Sequence, residues 1–292
     1  MTYIGRAGGM GETLSGGKPF ALYAIAGRSD SSRMREFNVL EQTVDFSYIP
    51  IIGQDFTANY ETKQRTQVVL KVDPMAGKVT DDQKVQADLI FYNAIIAQNT
   101  NARTQKPYLV VSNGTQSNII LLTHNLSPWQ ASSNGNQLER ILHAAEVEPD
   151  APNFTARIAG EYTFHARLGE DKKPVYDREV FTMGIVTNKP QLMSANFGIQ
   201  ESRGIAQIIS TYVGEENKVL IPPVAKNENI HAITTKLPVK GESAEELCKE
   251  FFDFMDKEFL VSAAAAVLEE DGWKFAVIDY QKTQNSEFKK TD

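Results

Sequence analysis

Phe20-Ala21-Leu22-Tyr23-Ala24-Ile25-Ala26-Gly27-Arg28-Ser29-Asp30-Ser31-Ser32-Arg33 is the stretch that decides the fold. Residues 20–27 form an apolar run that is typical of a buried strand, and the run ends abruptly in a polar loop. The loop carries Arg28, Arg33 and three serines. Arginine offers a rigid fork of N–H donors, and small hydroxyl residues let an anion come close, so the sequence predicts an anion site where the strand ends. This stretch alone leaves open the alternative of an ordinary charged surface loop.

The composition is that of a soluble globular protein rather than a nucleic-acid-binding one. The chain has 292 residues, of which 41% are hydrophobic and 23% charged, and its formal net charge is -7. Non-specific nucleic-acid binding needs a broad basic surface, so we expect no nucleic-acid partner. A small anionic ligand is compatible with this charge, because a local arginine cluster can override it.

Cysteine and histidine are too sparse for a metal or disulfide framework. Cys248 is the one cysteine, and the four histidines are scattered without ligand spacing. We therefore expect no disulfide, no Cys-based zinc site and no His-rich metal site, although carboxylates could still hold magnesium. The N-terminus has no basic region followed by an apolar one, and no apolar run approaches about 18 residues, so we expect a cytoplasmic protein without membrane contact.

The first half of the chain mixes glycine-rich and strand-like segments. Six glycines among residues 5–17 predict turns or a flexible hairpin. Strand-like segments follow at residues 39–52, 68–72, 87–96 and 108–111, and the polar pair Tyr92-Asn93 lies inside the third. Asn113-Gly114 predicts a tight turn, with residues 119–122 as the returning strand. The alternative is that the amides of this turn and Ser112 hold a ligand.

The second half is rich in predicted strands, at residues 154–164, 178–187, 191–197, 205–212 and 218–221. Helices are predicted at 137–145 and 243–259. In the second helix Ser243 and Glu246 form a capping box, and Leu247 and Phe251 belong to an apolar stripe that we assign to the core. We predict a single α+β domain over residues 1–292, with packed sheets, outer helices and a frayed tail at about 281–292.

These segments, taken together and in order, resemble the archaeal-type IMP cyclohydrolase family. The matching pieces are Tyr3-Ile4-Gly5-Arg6, Gly27-Arg28-Ser29 with Arg33, Tyr92-Asn93, Val111-Ser112-Asn113-Gly114, Arg157-Ile158, Gly184-Ile185-Val186-Thr187, Ile209-Ser210-Thr211-Tyr212, the helix at 243–259, residues 261–266 and Asp271-Gly272-Trp273. The resemblance runs nearly end to end. The chain is longer than the compact archaeal form, and we place its extra, loop-like length at residues 53–87, 97–107 and 166–177.

The resemblance implies a fold and a reaction. The fold would be a four-layer α-β-β-α sandwich similar to the N-terminal nucleophile hydrolases, without use of an N-terminal nucleophile. The enzyme would be a hydrolase of cyclic amidines that closes the purine ring, converting the formamido-imidazole carboxamide ribonucleotide FAICAR to IMP with loss of water, the last step of purine biosynthesis. The family needs no metal or redox cofactor, and a homo-oligomer is compatible with it.

The resemblance also implies site residues. Arg33 would stabilise the developing oxyanion, Tyr92 would exchange a proton with that oxygen, and Glu148 would act as base for the amide, with Glu146 as the alternative. The nucleotide site would be lined by Arg28, Asn93, Ser112, Asn113, Gly114 and Arg157. Which of them hold phosphate and which hold base stays open.

Two other functions are compatible with the same residues. The chain could bind or process another purine-like nucleotide, since added loops change specificity while a fold does not fix function. It could also be a non-catalytic nucleotide-binding protein.

Overall fold

The computed structural model describes fourteen segments of the chain, and most of them are strands. They are residues 4–27, 33, 35–45, 64–74, 92–100, 106–126, 137–145, 147–148, 155–168, 174–187, 192–197, 202–216, 219–221 and 234–280. The strands are β1 (Arg6–Glu12), β2 (Pro19–Ala26), β3 (Arg35–Asp45), β4 (Gln64–Pro74), β5 (Tyr92–Gln98), β6 (Tyr108–Ser112), β7 (Arg157–Leu168), β8 (Pro174–Val186), β9 (Leu192–Phe197), β10 (Ile205–Ser210), β11 (Gly214–Glu216), β12 (Val219–Ile221), β13 (Thr235–Pro238), β14 (Leu260–Glu269) and β15 (Gly272–Asp279).

The strands form two large antiparallel sheets. The first sheet has six strands in the order β13-β10-β1-β2-β14-β15, and the second has seven in the order β3-β4-β5-β6-β7-β8-β9. Strands β11 and β12 form a separate antiparallel pair. The second sheet is a meander, because each strand pairs with the next strand along the chain.

The two sheets face each other across one apolar core. Met10 and Tyr23 of the first sheet belong to the same buried cluster as Ile95 and Tyr162 of the second. The rings of Tyr162 and Trp273 meet edge to face across this core, with centroids 6.1 Å apart. Each large side chain buried in this way stabilises the fold by about 1.5–3 kcal/mol, so the core holds the sheets together.

The predicted hairpin at the N-terminus is present, since β1 pairs antiparallel with β2, but the glycine-rich strand β1 is not the flexible segment that we expected. It is a buried central strand that pairs with both β2 and β10. Its glycines serve close packing: a Cβ on Gly11 would lie 2.2 Å from the carbonyl oxygen of Ile205. The expected turn is confined to the residues after β1, where Gly17 has a φ of 61°. We interpreted the many glycines as a sign of flexibility, whereas Gly11 is required because a larger side chain would collide with the neighbouring strand.

The described residues form three helices, α1 (Gln116–Leu126), α2 (Gln137–Ala145) and α3 (Ala244–Phe254). The capping box of Ser243 and Glu246 is confirmed at the start of α3, and the helix buries Leu247 and Phe251 against the first sheet. Helices α1 and α2 pack against the second sheet. None of these helices has the length and apolar character needed to cross a membrane.

Helix α1 overturns the predicted hairpin. Residues 119–122 were expected to return as a strand after a turn at Asn113-Gly114, but they lie in the middle of α1. The prediction was wrong because an Asn-Gly pair between two apolar runs fits a β-turn and a helix start equally well. Ser117 and Asn118 donate backbone bonds to Gly114 and Thr115, which begins the helix instead.

The predicted α+β four-layer α-β-β-α sandwich, similar to the N-terminal nucleophile hydrolases, is wrong. The structure consists mostly of antiparallel strands in two sheets, and the helices that it describes have only 11, 9 and 11 residues. The predicted strand at residues 68–72 is present and is longer than expected, because β4 extends it on both sides within the region 53–87, where we had placed extra loop-like length. Strands β7 and β8 extend into residues 166–177, which we had interpreted as a loop. Polar side chains on these strands concealed their β character, since a strand with one solvated face alternates rather than running apolar.

Candidate functional site

Six strands bring polar side chains together at one end of the two sheets. Strands β1, β3, β5 and β7 begin there, and β2 and β6 end there, as the antiparallel pairs Arg6 with Ile25 and Ser112 with Ala159 require. We call this end the site edge. It is the end of β2 at which the sequence predicted an anion site.

A pair of tyrosines joins the two sheets at the site edge. The hydroxyl oxygens of Tyr23 on β2 and Tyr92 at the start of β5 lie 2.7 Å apart, and either can be the donor. Both rings are buried, and Tyr23 also packs against Phe37, with ring centroids 5.8 Å apart. Burial and the neighbouring Tyr92 raise the pKa of Tyr23 well above its ordinary value, so this phenol keeps its proton at neutral pH.

A buried carboxylate lies between two guanidinium groups beside this pair. Glu148 accepts a hydrogen bond from Nη1 of Arg6 at 3.0 Å, and its other oxygen lies 3.7 Å from Nη1 of Arg157. The backbone of Glu148 is fixed as well, because its N–H donates to the carbonyl of Thr155, whose hydroxyl is hydrogen-bonded to that of Tyr212. Two cations and a fixed backbone make this a rigid, charge-paired group.

Arg35 lies close to both groups. It begins β3, and its pKa is lowered by burial and by the positive charge of Arg6, while Tyr92, Glu148 and Tyr23 act in the opposite direction. Its Nε is buried and has no hydrogen-bond partner among the residues that the structure describes. Such an atom calls for an explanation, because buried N–H groups are nearly always paired.

The segment between β6 and α1 is held by Asn113. The side chain of Asn113 donates to the carbonyl of Ala156 at 2.8 Å and accepts from the N–H of Ile158 at 2.8 Å and from Gln116 at 3.2 Å. These three bonds tie the start of α1 to the start of β7. Asn113 therefore holds the segment between β6 and α1 in place by hydrogen bonding to the backbone of Ala156 and Ile158.

Gly114 makes room for Arg157. A Cβ on Gly114 would lie 2.1 Å from Nη1 of Arg157 and 2.4 Å from Oε1 of Gln116, which accepts a hydrogen bond from the same Nη1 at 3.3 Å. Ser112 is buried and donates to the carbonyl of Gly114, and Asn93 donates to Asn118 of α1 at 2.8 Å. The structure thus places at the site edge the five residues between 93 and 157 that were predicted to line the nucleotide site, namely Asn93, Ser112, Asn113, Gly114 and Arg157.

In the arginine loop after β2, the structure describes Arg33. Arg33 is exposed, and its Nε donates to the carbonyl of Gly27 at 3.4 Å, so it lies outside the buried part of the site. Arg28, and Glu146 as the alternative to Glu148, fall outside the residues that the structure describes. The convergence of Arg28 and Arg33 with Tyr92 stays a prediction.

Three residues of the site were missed by the sequence reasoning. Arg6 appeared only as part of the resemblance, Tyr23 was counted as part of a buried strand, and Arg35 was not noticed beside Arg33. A tyrosine within an apolar run and an arginine at a strand end were the available indications, since polar groups at such positions need partners. Within the described segments, no three His, Cys, Asp or Glu side chains are grouped as a metal site.

The chain matches a known protein family over a region that contains part of this site. Residues 51–272, about three quarters of the chain, match the family described as IMP cyclohydrolase-like protein. The matched region contains Tyr92, Glu148 and Arg157, whereas Arg6, Tyr23 and Arg35 precede it. No curated protein matches the sequence. The chain belongs to the IMP cyclohydrolase-like protein family.

Proposed function

We propose that this protein is an IMP cyclohydrolase that closes the ring of FAICAR to give IMP and water. Membership of the family supports this reaction class. The observation that carries the proposal is the meeting of Tyr92 with the ion-paired Glu148 and its arginines at one edge of two sheets. Guanidinium groups suit a phosphate-bearing purine nucleotide, because the planar fork of arginine matches the geometry of phosphate oxygens.

The proposed reaction needs only groups that position the substrate, transfer protons and stabilise negative charge. The carboxamide nitrogen attacks the formyl carbon and forms the new C–N bond, and the electron pair of the C=O bond moves to the formyl oxygen. Water then leaves with that oxygen, one proton from the carboxamide NH2 and the proton of the formamido N–H. An intramolecular attack of this kind gains mainly from holding the two arms together, and the remainder comes from proton transfer and charge stabilisation.

We assign the roles as follows. Tyr92 donates a proton to the formyl oxygen. The hydroxyls of Tyr23 and Tyr92 carry two protons, and their mutual hydrogen bond uses one of them, so the other can be donated to the substrate. Glu148 accepts the proton of the carboxamide. Arg157 and the exposed Arg33 contact the nucleotide, together with Asn93 and the segment Ser112-Asn113-Gly114.

Conversion of FAICAR to IMP by the purified protein tests the proposal. We expect the wild type to form IMP, and Tyr92→Phe and Glu148→Gln each to lower kcat by about 100-fold or more. Tyr162→Phe is the matched control, because Tyr162 is buried in the same core and its hydroxyl donates to Glu179, outside the site. A wild type that binds FAICAR without forming IMP would favour another purine-like nucleotide or a binding role.

A further inference from the structure

We propose that Arg35 is a catalytic residue, whose guanidinium stabilises negative charge on the formyl oxygen of the nucleotide. This inference rests on the proposed function and gives to Arg35 the role that the sequence resemblance gave to Arg33. It comes from three observations on the residue itself.

The first observation is the unpaired donor. Nε of Arg35 is buried and makes no hydrogen bond within the described part of the chain, although a guanidinium has five N–H donors and no acceptor. An exposed N–H donates to water. A buried N–H such as that of Arg35 Nε needs an acceptor in the site, and an oxygen of a bound ligand would supply it.

The second observation is the position of the charge. Arg35 lies at the start of β3, and its charge is influenced electrostatically by Tyr92, Glu148 and Tyr23, the groups that would carry the proton transfers, and by the cation Arg6. The guanidinium groups of Arg6 and Arg35 repel each other, and the carboxylate of Glu148, which is hydrogen-bonded to Arg6, acts against this repulsion. An oxygen that becomes negative during the reaction would relieve this repulsion in the transition state, which is how electrostatic catalysis lowers a barrier.

The third observation is the contrast with Arg33. Arg33 is exposed and donates from its Nε to the carbonyl of Gly27. Its charge is therefore screened by solvent, whereas a guanidinium beside the buried tyrosine pair acts in a lower dielectric and has a larger effect. The geometry favours Arg35 for the chemical step and leaves Arg33 to contact the nucleotide from outside.

Within the reaction, Arg35 acts before the proton arrives. When the carboxamide nitrogen bonds to the formyl carbon, the C=O electron pair moves to oxygen, and the guanidinium of Arg35 holds this oxyanion. Tyr92 then protonates the oxygen, and the carboxamide proton accepted by Glu148 restores the proton balance of the site. The hydroxyl then takes the proton of the formamido N–H and leaves as water when the C–O bond breaks and the ring C=N bond forms, and Arg35 returns to its starting state.

The test compares Arg35→Gln and Arg35→Lys with Arg33→Gln in two measurements, kcat on FAICAR and calorimetric binding of IMP. IMP keeps the phosphate but has lost the formyl oxygen. We expect Arg35→Gln to lower kcat by about 100-fold or more while the Kd for IMP changes less than about threefold. Arg35→Lys keeps the charge without the planar fork and is expected to lose about tenfold. Arg33→Gln is expected to raise KM more than it lowers kcat.

Three results would overturn the assignment. If Arg35→Gln retains kcat within about fivefold of wild type, Arg35 has no part in the chemistry. If the Kd for IMP rises in step with the loss of kcat, Arg35 holds the phosphate instead. If Arg35→Gln does not unfold cooperatively on heating, the same limits on kcat and on the Kd for IMP are applied to Arg35→Lys. A wild type that forms no IMP overturns the proposed function and this inference together. Arg203→Gln, an exposed arginine near the far end of β1, is the control expected to leave kcat unchanged.

Discussion

The hydroxyl oxygens of Tyr23 and Tyr92 lie 2.7 Å apart, and this hydrogen bond links the first sheet to the second at the site edge. The two phenols carry two protons, and their mutual bond uses one of them. The second proton is available to a substrate, and Tyr23 stays protonated because burial and its neighbour Tyr92 raise its pKa. In the proposed reaction, Tyr23 therefore orients Tyr92 for proton donation to the formyl oxygen.

The first prediction concerns this pair. Tyr23→Phe removes the partner of Tyr92 without opening a cavity, so we expect kcat to fall by about 10-fold or more, with little change in KM. In a double-mutant cycle, Tyr23→Phe should cost almost nothing once Tyr92→Phe is present, because the two residues act as a unit. Steady-state kinetics on the four proteins checks this. Fully additive effects would show that Tyr23 acts on the fold alone.

The second prediction concerns Gly114. A methyl group there would lie 2.1 Å from Nη1 of Arg157, so Gly114→Ala must displace this guanidinium. We expect a loss of at least about 10-fold in kcat/KM with a small change in Tm. Gly8→Ala is the matched control, since a Cβ at that buried glycine has its nearest neighbour at 3.6 Å and fits. Equal kinetics for the two variants would argue against a role for Arg157.

The third prediction separates support from ligand contact at Asn113. Its amide makes three hydrogen bonds that join the start of α1 to β7, and it is fully buried. Asn113→Ala leaves buried backbone groups unpaired, so we expect the free energy of unfolding to fall by about 2–4 kcal/mol in urea titrations. Asn118→Ala, on the exposed side of α1, should cost less than about 1 kcal/mol. A stable Asn113→Ala variant that has lost only nucleotide affinity would refute this structural role.

The fourth prediction is a pH dependence of stability. Burial raises the pKa of Glu161 to about 7, although the hydroxyl of Tyr108 donates to it. The folded state favours the protonated acid, so its contribution to stability is complete below the unfolded value of 4.5 and is lost as the pH rises through about 7. Because one pKa unit corresponds to about 1.4 kcal/mol, Glu161→Gln should gain stability relative to wild type by a few kcal/mol between about pH 5 and pH 8.

Unfolding curves at several pH values check the role of Glu161. Glu270→Gln provides the control, because Glu270 is exposed in the turn between β14 and β15. We expect the stability difference between Glu270→Gln and wild type to be the same at every pH. A stability difference between Glu161→Gln and wild type that does not change with pH would contradict the prediction.

Sequence patterns predicted the local elements well where one physical rule governs them. The capping box at Ser243 and the apolar stripe of α3 follow from hydrogen bonding and helical period, and both are present. The glycines of β1 and the Asn113-Gly114 pair misled, because their meaning depends on what packs against them. Gly11 lies against the backbone of Ile205, a residue nearly two hundred positions away.

The sequence predicted only part of the site, because the other site residues also depend on contacts between distant parts of the chain. Tyr92, Glu148 and Arg157 were named from a resemblance, and they lie at one edge of the sheets. Arg6 and Tyr23 belong to the first sheet and approach these residues only after the two sheets face each other, whereas Arg35 approaches Tyr92 only after β3, β4 and β5 have paired. No local pattern encodes that pairing, so only the folded arrangement identifies these three as members of the site.

The position of bound IMP tests the central claim most directly. In a crystal structure of the protein with IMP, we expect the nucleotide at the site edge, with one of its polar atoms within about 3.5 Å of the hydroxyl of Tyr92. Its phosphate should then contact arginine side chains of the same edge. IMP bound at the opposite end of the sheets, beside Glu12 and Arg203, would contradict the account.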